Sequence, residues 1–160
     1  MKKQGFTLIE LMVVIVIMGI LDAVAVPKLF GMIAKSKASE VGPAAGTYVK
    51  LQQAYFSESS QYGGWELIGY VGPGDRNSAQ STYTTNFEYD GSALASNSTS
   101  TAETAGAWKA SNRAKLNDCG VSDNWKIKLN AVSEEKDSYE ATVTGTGCEA
   151  LTPTFAKIGK

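Results

Sequence analysis

The strongest pattern along the chain is an apolar run near its N-terminus. From Phe6 to Val26 the only ionisable side chains are those of Glu10 and Asp22. As a helix rising 1.5 Å per residue, this run spans roughly 31 Å, which matches the hydrocarbon core of a bilayer. The pattern therefore predicts one helix that is able to cross a membrane.

After the apolar run, the pattern changes to that of an amphipathic helix. Pro27 removes a backbone hydrogen-bond donor. Together with Gly19, it makes residues 19–27 the least stable part of the predicted helix. Gly42-Pro43 predicts a second kink. The helix should lie on a sheet and end between residues 58 and 63, where Ser and Gly pairs follow. Apolar residues then recur at three- and four-residue spacing, typical of a core-facing stripe, at Val41, Ala45, Tyr48, Leu51 and Tyr55.

Alternating patterns, typical of strands with one buried face, come late in the chain. The segments "TNFEY" and "AWKAS" are short candidates, and "WKIKLNA" and "YEATV" flank a polar turn as a hairpin. One buried and one solvated face predict an antiparallel sheet. Residues 59–82 show mainly turn chemistry, and the Ser/Thr/Ala-rich residues 91–107 predict an exposed flexible loop. The alternating apolar positions of the hairpin are Trp125, Ile127, Leu129, Ala131, Tyr139, Ala141 and Val143.

Length and composition exclude several classes of protein. The 160 residues suit one domain, and a net charge of −1 gives no sign of a basic nucleic-acid binder. The absence of histidine removes the usual general base and the histidine-based nucleophile arrangements. The acidic turns match no calcium-loop spacing, so we predict no metal, no cofactor and no enzymatic activity.

The two cysteines fit the predicted hairpin. Centring its turn near Glu135 brings Cys119 and Cys148 together at the open end. A disulfide there would close a loop of about 30 residues and requires an oxidising compartment. The alternative is a pair of free thiols.

Lys2 and Lys3 precede the apolar run, so the positive-inside rule places this end in the cytoplasm. A secretory signal peptide with a cleavage motif at residues 23–25 is one alternative, and a plain membrane anchor is another. Neither explains Glu10, because a charge at the bilayer centre costs about 3 kcal/mol or more.

The N-terminal sequence "MKKQGFTLIELMVVIVIMGIL" resembles the leader and first helix of type IV prepilins, the precursors of type IV pilins and type II secretion pseudopilins. The resemblance implies that a prepilin peptidase cuts after Gly5 and that the new N-terminal residue, Phe6, is methylated. Glu10 then stands at the family's glutamate position. Gly19 and Pro27 fall where many pilins carry a glycine and a proline.

The resemblance also implies that Glu10 acts in subunit assembly. After cleavage, a neighbour's Phe6 ammonium group would meet this carboxylate, and the pair would offset the cost of burying either charge alone. Asp22 departs from the family pattern, in which a small apolar residue is usual. It lies about 120° round the helix from Glu10, so it is either solvated at the outer interface or paired within a filament.

The predicted fold class is therefore α+β, with a long N-terminal helix packed on a small antiparallel head. The expected organisation is a cytoplasmic leader (1–5), a transmembrane and polymerisation helix (6–27), its amphipathic continuation (28–58) and a periplasmic or extracellular head (59–160).

The expected function is that of a type IV pilus subunit, held in the inner membrane as a precursor and then exported in a surface filament. A type II secretion pseudopilin and a minor pilin for DNA uptake or surface binding are the alternatives. The expected partners are further copies in a helical homopolymer, the inner membrane, the prepilin peptidase and the assembly machinery, with no nucleic acid.

Overall fold

The protein consists of two consecutive helices followed by an antiparallel sheet. A computed structural model describes residues 2–160. Helix α1 spans Leu8–Ala38 and helix α2 spans Val41–Ser59. A six-stranded antiparallel sheet follows in the chain, and α2 packs on it. The predicted α+β class, with a long N-terminal helix on an antiparallel head, is confirmed.

Helix α1 lies almost wholly outside the head. Of its residues, Ala34 and Ala38 are buried, whereas the large apolar side chains from Leu8 to Ile33 are all exposed. The helix runs unbroken through Pro27. Its length and composition allow it to cross a membrane, and none of its most apolar stretch is buried by the rest of the chain.

The two helices separate at Ser39 and Glu40, not at the predicted Gly42-Pro43 kink. Pro43 explains the offset, because a proline cannot donate to the carbonyl four residues earlier and its ring clashes with that carbonyl. The break therefore opens about one turn upstream of the proline. There the Ser39 N–H and hydroxyl both donate to the Ser36 carbonyl, at 3.3 and 2.6 Å.

Glu40 ties this helix junction to the sheet. Its Oε1 atom accepts hydrogen bonds from the Thr84 hydroxyl at 2.6 Å and the Tyr89 hydroxyl at 2.8 Å. Burial raises the pKa of Tyr89, and its hydrogen bond to Glu40 raises it further. Tyr89 therefore stays protonated at neutral pH and keeps donating to the carboxylate, which fixes the point where α1 leaves the head.

The predicted apolar stripe of α2 faces the core. Val41, Ala45 and Tyr48 are buried, and Leu51 and Tyr55 are half-buried against the same core. The helix ends at Ser59, within the predicted range. Its end is capped by a left-handed residue, as is common where a helix stops.

Gln52 is a polar residue inside this otherwise apolar interface. Its Nε2 atom donates to the Gly63 carbonyl at 2.6 Å and to the Tyr48 hydroxyl at 3.0 Å, and its Oε1 atom accepts from the Gly63 N–H at 3.1 Å. A buried amide is tolerated when its donors and acceptors are satisfied in this way. These bonds hold the chain that follows α2 against the helix.

All strand pairs in the head are antiparallel. A short helix, α3 (Thr146–Glu149), and a 3₁₀ turn (Phe155–Lys157) follow the last strand. The strands are β1 (Tyr62–Gly63), β2 (Asp75–Ser78), β3 (Ser81–Tyr83), β4 (Phe87–Asp90), β5 (Thr99–Ser100), β6 (Thr104–Asn112), β7 (Asp123–Leu129) and β8 (Tyr139–Val143). The main sheet has the order β2-β3-β4-β6-β7-β8, and β1 pairs with β5 apart from it.

The strands predicted from alternation are confirmed, with changes at their ends. Strands β7 and β8 form the predicted hairpin, in which Ile127 lies opposite Ala141. The prediction that Ala131 continues the buried face is wrong, because β7 ends at Leu129 and Ala131 is exposed. The chain bends after the strand, and Val132 packs against the core instead.

The segments without periodicity contain structure that the sequence did not predict. Strands β1 and β2 lie within residues 59–82, where only turns were expected, and β3 begins there. The Ser/Thr/Ala-rich segment is not a freely exposed loop, because Leu94 is buried and its carbonyl accepts a hydrogen bond from Gln80 Nε2. The same segment supplies β5, and Thr101 accepts a hydrogen bond from the Val132 N–H at 2.8 Å.

Cys119 and Cys148 form a disulfide at the open end of the hairpin, as predicted. Both cysteines are buried, and they close a loop with a sequence separation of 29. Beneath the bond, Asn124 Nδ2 donates to Asn112 Oδ1 at 2.8 Å and to the Gly120 carbonyl at 2.7 Å. The disulfide therefore joins the loop before β7 to the C-terminal segment over a satisfied polar network.

Replacing Cys119 with Ser should lower the free energy of unfolding by about 3 to 4 kcal/mol, because the unfolded chain regains the freedom of an open loop. Urea unfolding of the full chain in detergent, followed by tryptophan fluorescence, measures this loss. Cys148→Ser should give the same loss, and the double variant should lose no more than either single one. Additive losses would show that the cysteines contribute separately rather than through one bond.

Candidate functional site

The predicted cleavage position lies in an exposed segment before the first helix. Gly5 and Phe6 are outside any helix or strand, and the Phe6 side chain is 91% exposed. A Cβ atom added at Gly5 would meet no atom within 4 Å. The fold of this chain therefore does not require a glycine here, and any such requirement must come from a molecule that acts on the segment.

Thr7 and Glu10 form a reciprocal hydrogen-bonded cap at the start of α1. The Glu10 N–H donates to Thr7 Oγ1 at 3.3 Å, and the Thr7 N–H donates to Glu10 Oε2 at 2.7 Å. The Thr7 hydroxyl also donates to Oε2, at 2.8 Å. This is a capping box, which satisfies amide groups that the first helical turn leaves without partners.

The cap directs the Glu10 carboxylate back toward the chain that precedes the helix. Both bonds from Thr7 use Oε2, and within residues 2–160 no hydrogen bond reaches Oε1. The carboxylate also lies in the first turn, where the helix dipole favours a negative charge. The site is therefore an oriented anion with one oxygen free for a cation.

The capping role of Thr7 was missed in the sequence. The signal was present, because a threonine followed three residues later by glutamate is the sequence signature of a capping box. In an apolar run of this length the cost of burying the Glu10 charge is the stronger signal, and the nearby threonine is the weaker one.

The other candidate residues lie away from this cap. Gly19 and Pro27 are farther along α1, and a Cβ added at Gly19 would also meet no atom within 4 Å. Cys119 and Cys148 lie in the head. Asp22 is exposed on α1 and makes no ion pair with any other described residue. The N-terminal cap and the head disulfide are thus separate sites.

The solvated face of the sheet carries charges that neutralise one another. Lys109 Nζ lies 2.8 Å from Asp90 and 3.7 Å from Asp123, and its hydrogen bond to Asp90 raises its pKa. Lys128 Nζ similarly lies 2.8 Å from Glu140 and 3.7 Å from Glu103. Across the part of the chain that the structure describes, no group of three or more Cys, Asp or Glu residues is placed to hold a metal ion.

Comparison with known proteins identifies the N-terminal segment. The family model described as "Prokaryotic N-terminal methylation motif" matches residues 1–25, which include the exposed Gly5-Phe6 pair and the Thr7–Glu10 cap. The first 25 residues carry this motif, and the N-terminal part of the chain is similar to that of type IV major pilin and fimbrial proteins. The structure adds that the glutamate of this pilin-type N-terminus is oriented by the threonine that caps the helix.

Relatives of the chain carry pilin and fimbrial names. The type IV major pilin protein PilA of Myxococcus xanthus is 43% identical over 61 residues, which are 38% of this chain and 28% of the relative. The fimbrial protein EcpC of Eikenella corrodens is 36% identical over 94 residues, 59% of this chain and 55% of the relative. The type IV major fimbrial protein FimA of Dichelobacter nodosus is 54% identical over 39 residues, 24% of this chain and 25% of the relative.

The chain thus spans between about a quarter and just over half of the length of these relatives. No solved structure matches it significantly.

Replacing Thr7 with Ala should loosen the start of α1 in the pilin-type N-terminus. The loss of an N-cap typically costs about 1 kcal/mol, so the amide protons of residues 7 and 10 should exchange roughly fivefold faster. Hydrogen exchange followed by NMR on the full chain in detergent micelles measures this rate. Thr7→Ser keeps the hydroxyl and should keep the slow exchange, whereas equally fast exchange in both variants would contradict the capping role.

Proposed function

We propose that this chain is the precursor of a type IV pilus subunit, whose role is structural rather than catalytic. The observation that carries the proposal is the oriented Glu10 carboxylate at the start of an apolar helix that the rest of the chain leaves uncovered. A helix with such a surface needs a bilayer or other helices around it. A precursor held in the membrane has the bilayer around α1, and after polymerisation the helices of other subunits take its place.

The first proposed step is processing at the membrane. Residues 1–5 form the cytoplasmic leader, and the prepilin peptidase cuts between Gly5 and Phe6 and methylates the Phe6 amine. Residues 6–27 cross the inner membrane once. The N-terminus is in the cytoplasm, because Lys2 and Lys3 precede the apolar run and positive charges stay on the cytoplasmic side. Residues 28–58 continue the helix, and residues 59–160 form the head, which matures outside the cytoplasm, where its disulfide is stable.

The second step is polymerisation by the assembly machinery. The capping box needs only Thr7 and Glu10, so removal of the leader leaves it intact. The Phe6 ammonium of a neighbouring copy then binds the free Oε1 of Glu10. A charge-assisted bond of this kind is strong in apolar surroundings and fixes the axial register of the two helices.

The proposed roles of Gly19 and Pro27 are to loosen the helix between them during assembly. Proline removes one helical hydrogen bond, and glycine lowers helix propensity by about 1 kcal/mol relative to alanine. A Cβ atom added at Gly19 would meet no atom within 4 Å, and α1 continues through Pro27 without a break. The lower helical stability between these residues lets α1 change its local shape as helices pack in a filament.

Two alternatives from the same family are less well supported. A type II secretion pseudopilin shares the N-terminal segment, but the relatives PilA, EcpC and FimA are named as pilins or fimbrial proteins. A minor pilin that takes up DNA needs a basic surface for the phosphate backbone. On the sheet, Lys109 and Lys128 are each held between two carboxylates, which argues against such a surface there.

Replacing Gly5 with Val should block processing. A branched side chain at the residue before the cut hinders the peptidase, whereas the fold has open space at this position. The variant should remain as precursor in the membrane, with no subunit beginning at Phe6. Immunoblotting and mass spectrometry of the N-terminus distinguish the two forms. Gln4→Val places the same side chain one residue earlier and should be cleaved, and full cleavage of Gly5→Val would contradict the proposed site.

Replacing Glu10 with Gln should allow processing but prevent filament formation. Glutamine still completes the capping box, so the change removes the charge and leaves the helix start intact. Breaking one side of a buried ion pair costs about 3 to 5 kcal/mol, and the cost recurs at every added subunit. Processed subunit should therefore accumulate in the membrane with few or no filaments in the sheared fraction.

Two comparisons make the Glu10 experiment specific. Glu58→Gln removes a charge from an exposed position of α2 and should leave filaments unchanged. If Glu10 were only a recognition mark for the peptidase, Glu10→Gln would instead accumulate as precursor. Normal filaments from Glu10→Gln would refute both roles.

A further inference from the structure

We propose that Asp22 and Lys28 of neighbouring copies form a second ion pair, in the same step that joins Glu10 to the Phe6 amine. The inference rests on the proposed function, because it requires a homopolymer. It assigns a partner to the one other carboxylate within the apolar run.

Neither charge has a partner on its own helix. Helix positions three and four residues apart are neighbours, and the residues at those positions around Asp22 and Lys28 carry no opposite charge. The two residues are six positions apart, so they point about 120° away from each other. Within residues 2–160 neither takes part in a salt bridge, and both are exposed. The neighbouring positions are occupied by Met18, Gly19, Val24, Ala25, Val26, Gly31 and Met32.

The surroundings of these charges change when the subunit leaves the bilayer. In the precursor, Asp22 and Lys28 lie toward the outer face, where water and lipid headgroups solvate them. In a filament, the same surface of α1 faces other copies of α1. A charge buried without a counter-charge is costly there, and the chain supplies one charge of each sign.

The axial shifts that the two pairs require have the same direction and a similar size. Bringing Phe6 of an upper copy level with Glu10 of a lower copy requires an axial shift of four residues, about 6 Å. Bringing Asp22 of the upper copy level with Lys28 of the lower copy requires six residues, about 9 Å, in the same direction. The flexible lysine side chain spans the difference. A lysine on the N-terminal side of Asp22 would have required a shift in the opposite direction.

The surface between the two charges allows a second helix to approach. Gly19 and Ala25 flank Asp22, and Ala25 and Gly31 flank Lys28. A Cβ atom added at Gly19 or Gly31 would meet nothing within 4 Å, so this surface is open in the single chain. Small residues let helix backbones come close, which brings the short aspartate side chain within reach of a neighbour.

A charge exchange tests the pair. Asp22→Lys and Lys28→Asp should each lower the yield of sheared filaments by about tenfold or more, because each places like charges together. The double variant should recover most of the yield. Lys35 lies seven residues beyond Lys28, on nearly the same side of α1. The matched control Asp22→Lys with Lys35→Asp has the same net charge as the exchanged variant and should not recover.

The amount of processed subunit in the membrane, measured by immunoblotting, must equal that of the unaltered chain in every variant that is compared. With that condition met, normal yield from either single variant, or no recovery in the exchanged variant, would overturn the pair. Filaments from the unaltered chain that are lost in Glu10→Gln would leave the proposed function standing. No filaments from the unaltered chain would overturn both.

Crosslinking gives a second measurement that does not depend on charge recovery. Asp22→Cys with Lys28→Cys removes both charges together and leaves neither unpaired. The native cysteines are already joined to each other and do not compete. Mild oxidation of these filaments should give a ladder of covalent multimers, whereas filaments of Asp22→Cys with Lys28→Ala and Lys35→Cys should give none. Filaments without a ladder in the first variant would overturn the pair.

Discussion

The constraint on which the rest of the structure depends is that the head cannot cover the apolar surface of α1. Large apolar side chains from Leu8 to Ile33 remain exposed, and burial begins only at Ala34. Apolar area of this extent is stable only in a bilayer or against other helices. The head must therefore fold on its own around α2, and α1 must be presented at a fixed angle to whatever covers it.

That angle is set at the junction of the helices. Pro43 opens the backbone one turn upstream, and the Glu40 carboxylate closes the opening by accepting two hydroxyl hydrogen bonds from the sheet. The two effects are complementary, because a break without a tie would let α1 swing about the head. One hydroxyl comes from β4 and the other from the turn before it. The main sheet therefore fixes the direction in which α1 leaves the head.

The elements that could be predicted from the sequence are those in which buried and exposed residues alternate with a regular spacing. The stripe of α2 and the alternation of β7 and β8 were read correctly because one face of each is buried. Strand β2 was missed because all of its residues are exposed at the edge of the sheet, where no burial pattern is imposed. The helix break was displaced because proline acts on the carbonyl four residues earlier. The tie at Glu40 joins residues more than 40 positions apart, and no local pattern reports such a contact.

The N-terminal site was predictable in its residues but not in its geometry. Composition marks Glu10 as costly in a bilayer, yet only the structure gives it an intramolecular partner, Thr7, that leaves one oxygen unused. This changes the energetic argument. Under the proposed function, a carboxylate with two local donors is partly compensated in the membrane, so the subunit is able to persist there as a monomer. The Oε1 atom remains free to bind a cation. In the proposed assembly this cation is the Phe6 ammonium group of a second copy, so the favourable energy of the ion pair is gained only when that copy binds. In the proposed function, local capping and intermolecular pairing are thus successive uses of one side chain.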